Sequence, residues 1–180
     1  MTSHLPKAAS LGSQEADVAG ELGATFDHVA IAGRRIRDML PLWRDTLGGR
    51  FAIGADNPEI GWRTVRLELG GTWCVELIEP LPGSAFLDSF LRHRPEGGLH
   101  HVTFLVDDVR AAFERFAARG YEPYGAGEDW FQMFVHPKLA GGVLLQLMRR
   151  MSHSRDDRPA MTVEDVLAGR GYRGTGVSSP

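Results

Sequence analysis

The stretch Gly97-Gly98-Leu99-His100-His101-Val102-Thr103-Phe104 decides the fold, because the earlier stretch Phe26-Asp27-His28-Val29-Ala30-Ile31 has the same design. In both stretches a histidine stands at the start of an apolar run that is typical of a β-strand. Each run is followed by a helical pattern, a glycine-rich turn and a further strand with one polar residue among apolar ones. The repeated order indicates one structural module used twice.

The polar residues of the later strands are Glu76 and Gln146. His101 lies 73 residues after His28, and Gln146 lies 70 residues after Glu76, so the two spacings agree closely. A lone histidine near a strand start is usually a satisfied polar residue, but a glutamate or glutamine inside an apolar strand costs free energy unless it has a partner. Four such residues at matching positions of two modules favour a shared metal site.

Composition limits the class of protein. The chain has 180 residues, of which 43% are hydrophobic and 24% are charged, which suits one globular unit. The formal charge of −3 predicts no nucleic-acid partner and no anionic membrane surface. The single cysteine, Cys74, excludes an internal disulfide framework and fits a reducing cytoplasm, which is the expected location. Neither a membrane helix nor a secretory signal is predicted.

The organisation along the chain follows from these patterns. Residues 1–24 are predicted to be a flexible N-terminal extension, and residues 25–150 one domain built from modules 25–82 and 98–150. Residues 151–180 are predicted to be a polar C-terminal tail with one helical candidate behind a Thr162 and Asp165 cap. The predicted strands cover 26–31, 51–53, 62–69, 72–78, 99–106, 121–124, 131–135 and 142–148. The main predicted helices cover 36–47, 85–92 and 109–119, and Pro41 is expected to delay or bend the first.

Alternation along the strands predicts where the ligands point. If Val75 and Leu77 pack under the helices, Glu76 faces the other side of the sheet. The same parity turns His28, His101 and Gln146 to that side. The fold class is therefore α+β, with paired βαβββ modules forming a curved, mostly antiparallel sheet that cups four ligand atoms. Two imidazoles, a carboxylate and an amide suit a divalent cation with open positions, and not a closed structural zinc site.

Further side chains on the cup face could line a pocket. Arg66 could hold a carboxylate or phosphate, although a solvated arginine at the rim is the default interpretation. Trp62 could form a wall, but aromatic core packing explains it equally well. Cys74 shares the face of Glu76 and is expected to line the pocket without acting as a nucleophile. His100 and His136 are expected to be structural.

Seven segments in order resemble the vicinal oxygen chelate superfamily, the glyoxalase and bleomycin-resistance fold, and within it methylmalonyl-CoA epimerase. The resemblance covers about residues 25–150. The matching segments are Asp27-His28-Val29-Ala30-Ile31-Ala32, Asn57-Pro58-Glu59-Ile60-Gly61, Val75-Glu76-Leu77-Ile78-Glu79-Pro80, Gly98-Leu99-His100-His101-Val102, Val106-Asp107-Asp108-Val109, Phe134-Val135-His136-Pro137 and Gly141-Gly142-Val143-Leu144-Leu145-Gln146-Leu147.

The resemblance implies paired modules, a homodimer and a divalent metal (Co, Mn, Zn, Ni or Fe) held by His28, Glu76, His101 and Gln146. Two positions depart from the family pattern. Family epimerases carry glutamate where this chain has Gln146, and a second acid/base glutamate where it has Thr64. An amide and a hydroxyl do not easily replace a base and an acid. Glu76 is the remaining carboxylate among the four, and Glu68, on the face of Thr64, is a second catalytic candidate.

Three functions follow as hypotheses. The first is a metal-dependent isomerase or lyase, epimerase-like, that stabilises the enolate of a small oxygenated substrate, with an acyl-CoA such as methylmalonyl-CoA as one candidate. The second is a metal-dependent ring-cleaving dioxygenase. The third is a non-catalytic protein of the same fold that binds a drug or natural product. Stoichiometric divalent metal and exchange of a substrate α-proton distinguish the first from the others.

Overall fold

The computed structural model describes residues 22–150 and 161–173; the rest of the predicted N-terminal extension and C-terminal tail lies outside the described residues. The elements are β1 (Thr25–Ala32), α1 (Ile36–Leu40) continued by a π-helical turn (Pro41–Thr46), β2 (Arg50–Asn57), β3 (Trp62–Leu69), β4 (Trp73–Pro80), α2 (Asp88–His93), β5 (Gly98–Val106), α3 (Val109–Ala118), β6 (Gln132–Val135), β7 (Leu144–Arg149), α4 (Val163–Asp165) continued by a second π-helical turn (Val166–Arg170), and β8 (Tyr172–Arg173).

One mixed sheet of eight strands carries the fold, in the order β6-β7-β5-β1-β4-β3-β2-β8. The two modules meet where β1 and β5 pair antiparallel. Within the first module β1 pairs parallel with β4, and within the second β5 pairs parallel with β7. The same connection is therefore made twice, which confirms the predicted α+β fold of paired modules.

The second module has fewer full strands than the first. The predicted strand 121–124 is reduced to one antiparallel bridge, in which Tyr124 and Phe134 exchange backbone hydrogen bonds of 3.0 and 2.8 Å. Pro123 precedes that bridge, and a proline has no N–H to donate to a ladder. The prediction of βαβββ is thus confirmed for residues 25–80 and wrong in this one strand for the second module.

The β2 strand is longer than the sequence indicates. It extends past the predicted 51–53 as far as Asn57, where Arg63 on β3 holds the Asp56 carboxylate with two bonds of 2.6 and 2.8 Å. Gly54 lies in the middle of β2, and a Cβ there would meet Val166 at 2.6 Å. A glycine inside the strand therefore permits a close approach by the C-terminal segment.

The first helix confirms the prediction for residues 36–47, including the disturbance at Pro41. Ile36 and Leu40 are buried in a cluster with Val65, Leu67 and residues of β4 on one side of the sheet. From Pro41 the helix widens into π geometry, shown by the bond from Leu47 N to Leu42 O of 3.0 Å.

Residues 161–173 are part of the folded unit, unlike the polar tail predicted for 151–180. Val163 and Val166 are buried in the same cluster as α1, and β8 pairs parallel with β2. Arg63 fixes the segment by donating to the Leu167 carbonyl at 3.1 Å. The predicted cap is present as a reciprocal Thr162 and Asp165 capping box.

The linker between the modules lies on the other side of the sheet. Leu87 and Leu91, from the α2 region, pack against Ala30, Ala32 and Ile78, which share the strand face of His28 and Glu76. The α2 helix therefore covers one end of the cup. Among the helices of the described residues, none is long and apolar enough to cross a membrane.

Candidate metal centre

Three predicted ligands converge at the centre of the sheet. The Nε2 atom of His28 (β1) lies 3.3 Å from Oε2 of Glu76 (β4) and 3.3 Å from Nε2 of His101 (β5). The Nε2 atom of His101 lies 3.4 Å from the same Glu76 oxygen. The side chains are almost completely buried, with exposures of 0%, 6% and 8% for His28, Glu76 and His101. The β1–β4 pairing within the first module and the β1–β5 pairing between the modules bring them together.

These distances fit one shared cation. Nitrogen and oxygen ligands about 2.0–2.2 Å from a divalent metal lie roughly 3.0–3.5 Å from one another. Metal-binding histidines commonly donate their second ring N–H to a carboxylate, and His28 Nδ1 donates to Asp27 Oδ2 at 2.6 Å. That bond leaves the lone pair of Nε2 facing Glu76 and His101. The residues present therefore fit a divalent metal.

Arg66 completes the charged half of the site. Its Nε atom donates to Glu76 Oε1 at 3.2 Å, and one terminal nitrogen donates to Asp27 Oδ2 at 3.3 Å. The guanidinium therefore ties together the carboxylate ligand and the carboxylate that orients His28. The sequence left two interpretations for Arg66, an anion-holding residue on the cup face and, by default, a solvated arginine at the rim; in the structure it pairs with Asp27 and Glu76.

The pKa values reflect this network. Burial alone would raise the pKa of Glu76, but the charges of Arg66 and His28 outweigh it and hold that pKa well below its ordinary value. The pKa of Asp27 is lowered in the same way, against its burial, by the bond from His28 and the charge of Arg66. Burial would lower the pKa of His28, but Glu76 and Asp27 raise it above 6.5. Without a metal, the group is thus arranged to hold a proton between imidazole and carboxylates.

Gln146 on β7 is linked to this group through a neutral chain of hydrogen bonds. The Thr103 hydroxyl donates to Gln146 Oε1 at 2.6 Å, and its oxygen also lies 3.2 Å from His28 Nε2. The Gln146 Nε2 atom donates to Gln132 Oε1 at 2.8 Å. Since Gln132 accepts from the amide nitrogen, the amide oxygen is the atom turned towards Thr103 and His28. An amide oxygen in that orientation can accept from Thr103 and still offer a lone pair to a cation.

His101 has a neutral partner of its own. The ladder between β1 and β5 is irregular where Ala30 pairs with His101 and Ile31 pairs with Leu99, so His100 is the extra residue of a bulge. His100 Nδ1 lies 3.0 Å from His101 Nδ1, and its ring packs on Phe90. Burial and the nearby His101 lower the pKa of His100 to about 4. A neutral His100 can therefore accept the Nδ1–H of His101.

The remaining predicted site residues lie around this centre. Thr64 is adjacent on the cup face, 6% exposed, and its hydroxyl oxygen is the only buried side-chain N or O atom of the described residues without a hydrogen-bond partner. Cys74 is half-buried, and burial raises the pKa of its thiol to about 11, which argues against a nucleophile. Glu68 pairs with Arg50 and is not in the His28, Glu76 and His101 group. Trp62 packs against the α2 cluster.

Four contributing residues were not predicted from the sequence: Asp27, Thr103, Gln132 and His100 in its role beside His101. Asp27 precedes His28 in the stretch that sets the fold, and Thr103 shares the strand face of His101. Alternation alone could have placed Thr103 beside the ligands. The contact between His100 and His101 depends on a bulge, which alternation does not reveal.

Comparison with known proteins gives a consistent result. A model of the glyoxalase/bleomycin resistance protein/dioxygenase superfamily matches residues 27–133, which include the strands of His28, Glu76 and His101. The ethylmalonyl-CoA/methylmalonyl-CoA epimerase of Cereibacter sphaeroides is 32% identical over 128 residues, which cover 68% of this chain and 95% of that protein.

Solved structures agree with the sequence matches. Methylmalonyl-CoA epimerase from Mycobacterium tuberculosis superposes with a TM-score of 0.59 at 28% identity, covering 70% of this chain and 87% of that chain. A variant of Streptomyces coelicolor methylmalonyl-CoA epimerase in complex with 2-nitronate-propionyl-CoA gives a TM-score of 0.59 at 28% identity, covering 71% and 97%. These similarities extend over most of the length of the compared proteins.

Proposed function

Because the chain belongs to the glyoxalase/bleomycin resistance protein/dioxygenase superfamily, we propose that it is a divalent-metal-dependent isomerase acting on an acyl-CoA such as methylmalonyl-CoA. The reaction class is removal and return of a proton next to a thioester carbonyl. The single observation that carries the proposal is the convergence of His28, Glu76 and His101 with ligand atoms 3.3–3.4 Å apart. The epimerase relatives, and the complex of one of them with 2-nitronate-propionyl-CoA, support the substrate class.

The proposed metal ligands are His28, Glu76, His101 and Gln146. A divalent cation supplies Lewis acidity that stabilises negative charge on carbonyl oxygens. Asp27 keeps the Nε2 lone pair of His28 turned inwards, and Thr103 with Gln132 keeps the Gln146 oxygen turned inwards. Each of these two ligands therefore has a partner that fixes its orientation before substrate arrives.

Proton transfer is assigned to Glu76. It is the carboxylate of the buried group, and its low pKa keeps it ionised at neutral pH. Arg66 bonds to Oε1, whereas Oε2 faces the two histidines, so the two oxygens have different surroundings. We assign Oε2 to removal of the α-proton. Because Oε2 is also the proposed ligand atom, the carboxylate would have to swing away from the cation before it accepts that proton.

Thr64 is assigned to a substrate oxygen. A buried hydroxyl with no partner loses free energy that a bound ligand can restore, typically about 1–3 kcal/mol. Its position on β3, two residues from Arg66, puts it on the cup face beside the ligand cluster. The hydroxyl replaces a family glutamate, so it would hold and polarise the substrate rather than accept its proton.

The test is exchange of the α-proton. Metal-loaded protein incubated with methylmalonyl-CoA in D₂O is expected to incorporate deuterium at the α-carbon, measured by mass spectrometry, whereas protein treated with a chelator is not. Wild-type protein that binds stoichiometric metal but exchanges none of a panel of 2-methyl-acyl-CoA thioesters would contradict the isomerase proposal.

One observation favours a second candidate. Two histidines and one carboxylate converging on one point form the ligand set of non-haem iron oxygenases. Ring-cleaving oxygenase activity would appear as oxygen consumption by the protein loaded with ferrous iron in the presence of a catechol.

The third hypothesis, a binding protein without catalysis, is tested by tight binding of an aromatic natural product to metal-free protein. The metal's identity, the homodimer and the cytoplasmic location stay predictions.

A further inference from the structure

The C-terminal segment, residues 161–173, packs its apolar side chains on the side of the sheet opposite the candidate metal centre. Val163 and Val166 are buried there in a cluster with Val65 of β3. Thr64, the neighbour of Val65 along β3, faces the cup, because successive side chains of a strand point to opposite faces. The superfamily model matches residues 27–133 and does not include this segment. The proposed function therefore leaves the segment without a role.

The segment touches β2 and β3 directly behind Thr64. Ala55 of β2 pairs with Thr64 on one side and with Tyr172 of β8 on the other. One residue earlier on β2, the point where a Cβ of Gly54 would stand lies 2.6 Å from a methyl carbon of Val166 and 2.9 Å from the Thr64 carbonyl oxygen. The Val166 side chain and the backbone of Thr64 therefore meet at the same place on the sheet.

Arg63, which precedes Thr64, joins the C-terminal segment to the three strands around it. Its guanidinium holds Asp56 of β2 with bonds of 2.6 and 2.8 Å, and it donates to Glu79 of β4 at 3.2 Å. The same group donates to the Leu167 carbonyl at 3.1 Å. Only 12% of the Arg63 side chain is exposed, so these bonds are largely shielded from water. One buried cation thus fixes β2, β3, β4 and the segment relative to one another.

Thr64 depends on this support more than the other polar groups of the cup. The orientation of His28 is fixed by Asp27 and that of the Gln146 amide by a hydroxyl. The Thr64 hydroxyl has no hydrogen-bond partner among the described residues. Since the χ1 angle of a β-branched residue follows from its backbone and its packing, the direction of this hydroxyl is determined by the position of β3.

We propose that the C-terminal segment is a positioning element that holds the Thr64 hydroxyl where a substrate oxygen can bind it. The proposal rests on the proposed function, which assigns that hydroxyl to the substrate. It adds that substrate binding depends on residues on the far side of the sheet. Metal binding should not depend on them, because β2 and β8 form one border of the sheet, whereas His101 and Gln146 lie on β5 and β7, towards the other border.

The test compares Val166→Ala with the matched control Val109→Ala in the full-length chain. Both valines are fully buried, but Val109 belongs to the core of the second module, so the two truncations are alike except for their place. The first measurement is an NMR spectrum of ligand-free protein with isotope-labelled threonine methyl groups, in which Thr64→Val identifies the Thr64 signal. Val166→Ala is expected to shift or broaden that signal, and Val109→Ala is expected to leave it in place.

The second measurement is calorimetric binding of 2-nitronate-propionyl-CoA, the ligand of the Streptomyces coelicolor complex, to metal-loaded protein. Thr64→Val is expected to weaken binding about fivefold, as for the loss of one hydrogen bond, and Val166→Ala by a smaller factor with metal affinity unchanged. In the double variant, Val166→Ala is expected to add no further loss, because the segment acts through Thr64. Val163→Ala, in the same segment, should act in the same direction and replaces Val166→Ala if circular dichroism shows that variant to be unfolded.

Three results would overturn the proposal: a Thr64 signal that Val166→Ala leaves unchanged, one that Val109→Ala moves equally, or losses of binding that add in the double variant. Each would mean that the segment only stabilises the fold. The outcome is separate from that of the proposed function. A Thr64 signal that moves only with the segment, in a wild-type protein that does not bind the thioester analogue, supports the positioning element and contradicts the acyl-CoA substrate.

Discussion

The two modules supply the candidate centre with opposite electrical surroundings. In the first module, His28 and Glu76 are backed by Asp27 and Arg66, in a network of ion pairs. In the second, His101 and Gln146 are backed by neutral groups, His100 and the Thr103–Gln132 pair. The strand geometry is repeated, but the charge is not.

The difference shows where chemistry is possible. A proton acceptor has to come from the first module, since the carboxylates of the centre are there. The second module contributes orientation, because its hydrogen bonds set the directions of the Gln146 amide and the His101 imidazole. A fold duplication therefore allows one copy to keep reactive groups while the other becomes a neutral support.

The largest effect should come from removing His101, a ligand from the second module that lies against His28 and Glu76 of the first. His101→Ala is expected to lower divalent metal affinity at least 100-fold, because a cation held by buried ligands loses one nitrogen and gains only a water. Metal content after dialysis and calorimetric titration measure it. His93→Ala, an exposed histidine on α2, is the control and should keep stoichiometric metal, with circular dichroism verifying that both variants fold. Equal metal binding by His101→Ala and wild type would show that the modules do not share a cation.

Making the two modules electrically alike should have the next largest effect. Glu76→Gln gives each module one imidazole and one amide, and is expected to lower metal affinity at least tenfold and to reduce α-proton exchange at least 100-fold, because the assigned base is lost. Glu59→Gln, in an exposed turn, removes the same charge elsewhere and should change neither. Gln146→Glu is expected to raise metal affinity, because it adds a carboxylate to the neutral half. Exchange that survives Glu76→Gln would mean that the base lies elsewhere.

The pH dependence of stability should trace to the charged half. The raised pKa of His28 means that the metal-free folded state holds this proton more tightly than the unfolded chain does, so the stabilisation is complete below pH 6.5 and is lost as the pH rises through the raised pKa. Glu76 and Asp27 act oppositely: their lowered pKa values stabilise the fold above pH 4.5 and 3.8, and this is lost as the pH falls through the folded values.

Metal-free protein is therefore expected to have its highest melting temperature at mildly acidic pH and a falling one above pH 6.5. With metal bound the trend above pH 6.5 should reverse, since a cation needs the unprotonated imidazole. Asp27→Asn should flatten the metal-free trend, because it removes a group that raises the pKa of His28. A melting temperature for metal-free protein that rises steadily from pH 6 to 8 would contradict this assignment.

The smallest effect should come from the hydrogen bond that orients Gln146 in the second module. Thr103→Val removes the hydroxyl that orients Gln146, and is expected to lower metal affinity about three- to tenfold and to cost about 1–2 kcal/mol of folding free energy. Thr103→Ser keeps the hydroxyl and should restore most of the metal affinity, although it also loses a methyl group. The absorption spectrum of the Co²⁺-loaded protein should change for valine and remain near wild type for serine. Identical spectra for all three would mean that Gln146 is not a ligand.

The features that depend on side-chain alternation within a single strand could be predicted from the sequence. Alternation placed His28, Glu76 and His101 on one face, and the structure brings them together. It also placed Arg66 on that face, but it could not show that the guanidinium would pair with Asp27 and Glu76, because that contact depends on the distances between three strands. Glu68 illustrates the same limit: it shares a strand face with Thr64, but its partner is Arg50 on the adjacent strand.

Packing between distant segments was the other feature that local patterns did not reveal. Residues 161–173 have a recognisable cap at Thr162, yet among the side chains described in this segment, those of 161–171, only two apolar ones, Val163 and Val166, are buried. So few apolar residues do not predict a packed segment from the sequence alone. The packing is possible because Gly54 has no side chain that would clash with Val166. The predicted strand at 121–124 failed for a local reason, since Pro123 cannot donate to the ladder.

The pairing of β8 with β2 has a consequence for how this protein associates with itself. An outermost strand with open N–H and C=O groups is a template for the strands of other molecules. Here the end of the described chain occupies part of that template, at Ala55 and Asp56, and Val166 covers apolar surface beneath it. A shortened chain that stopped at Arg150 would retain every candidate ligand, yet it would leave this border of the sheet open to aggregation.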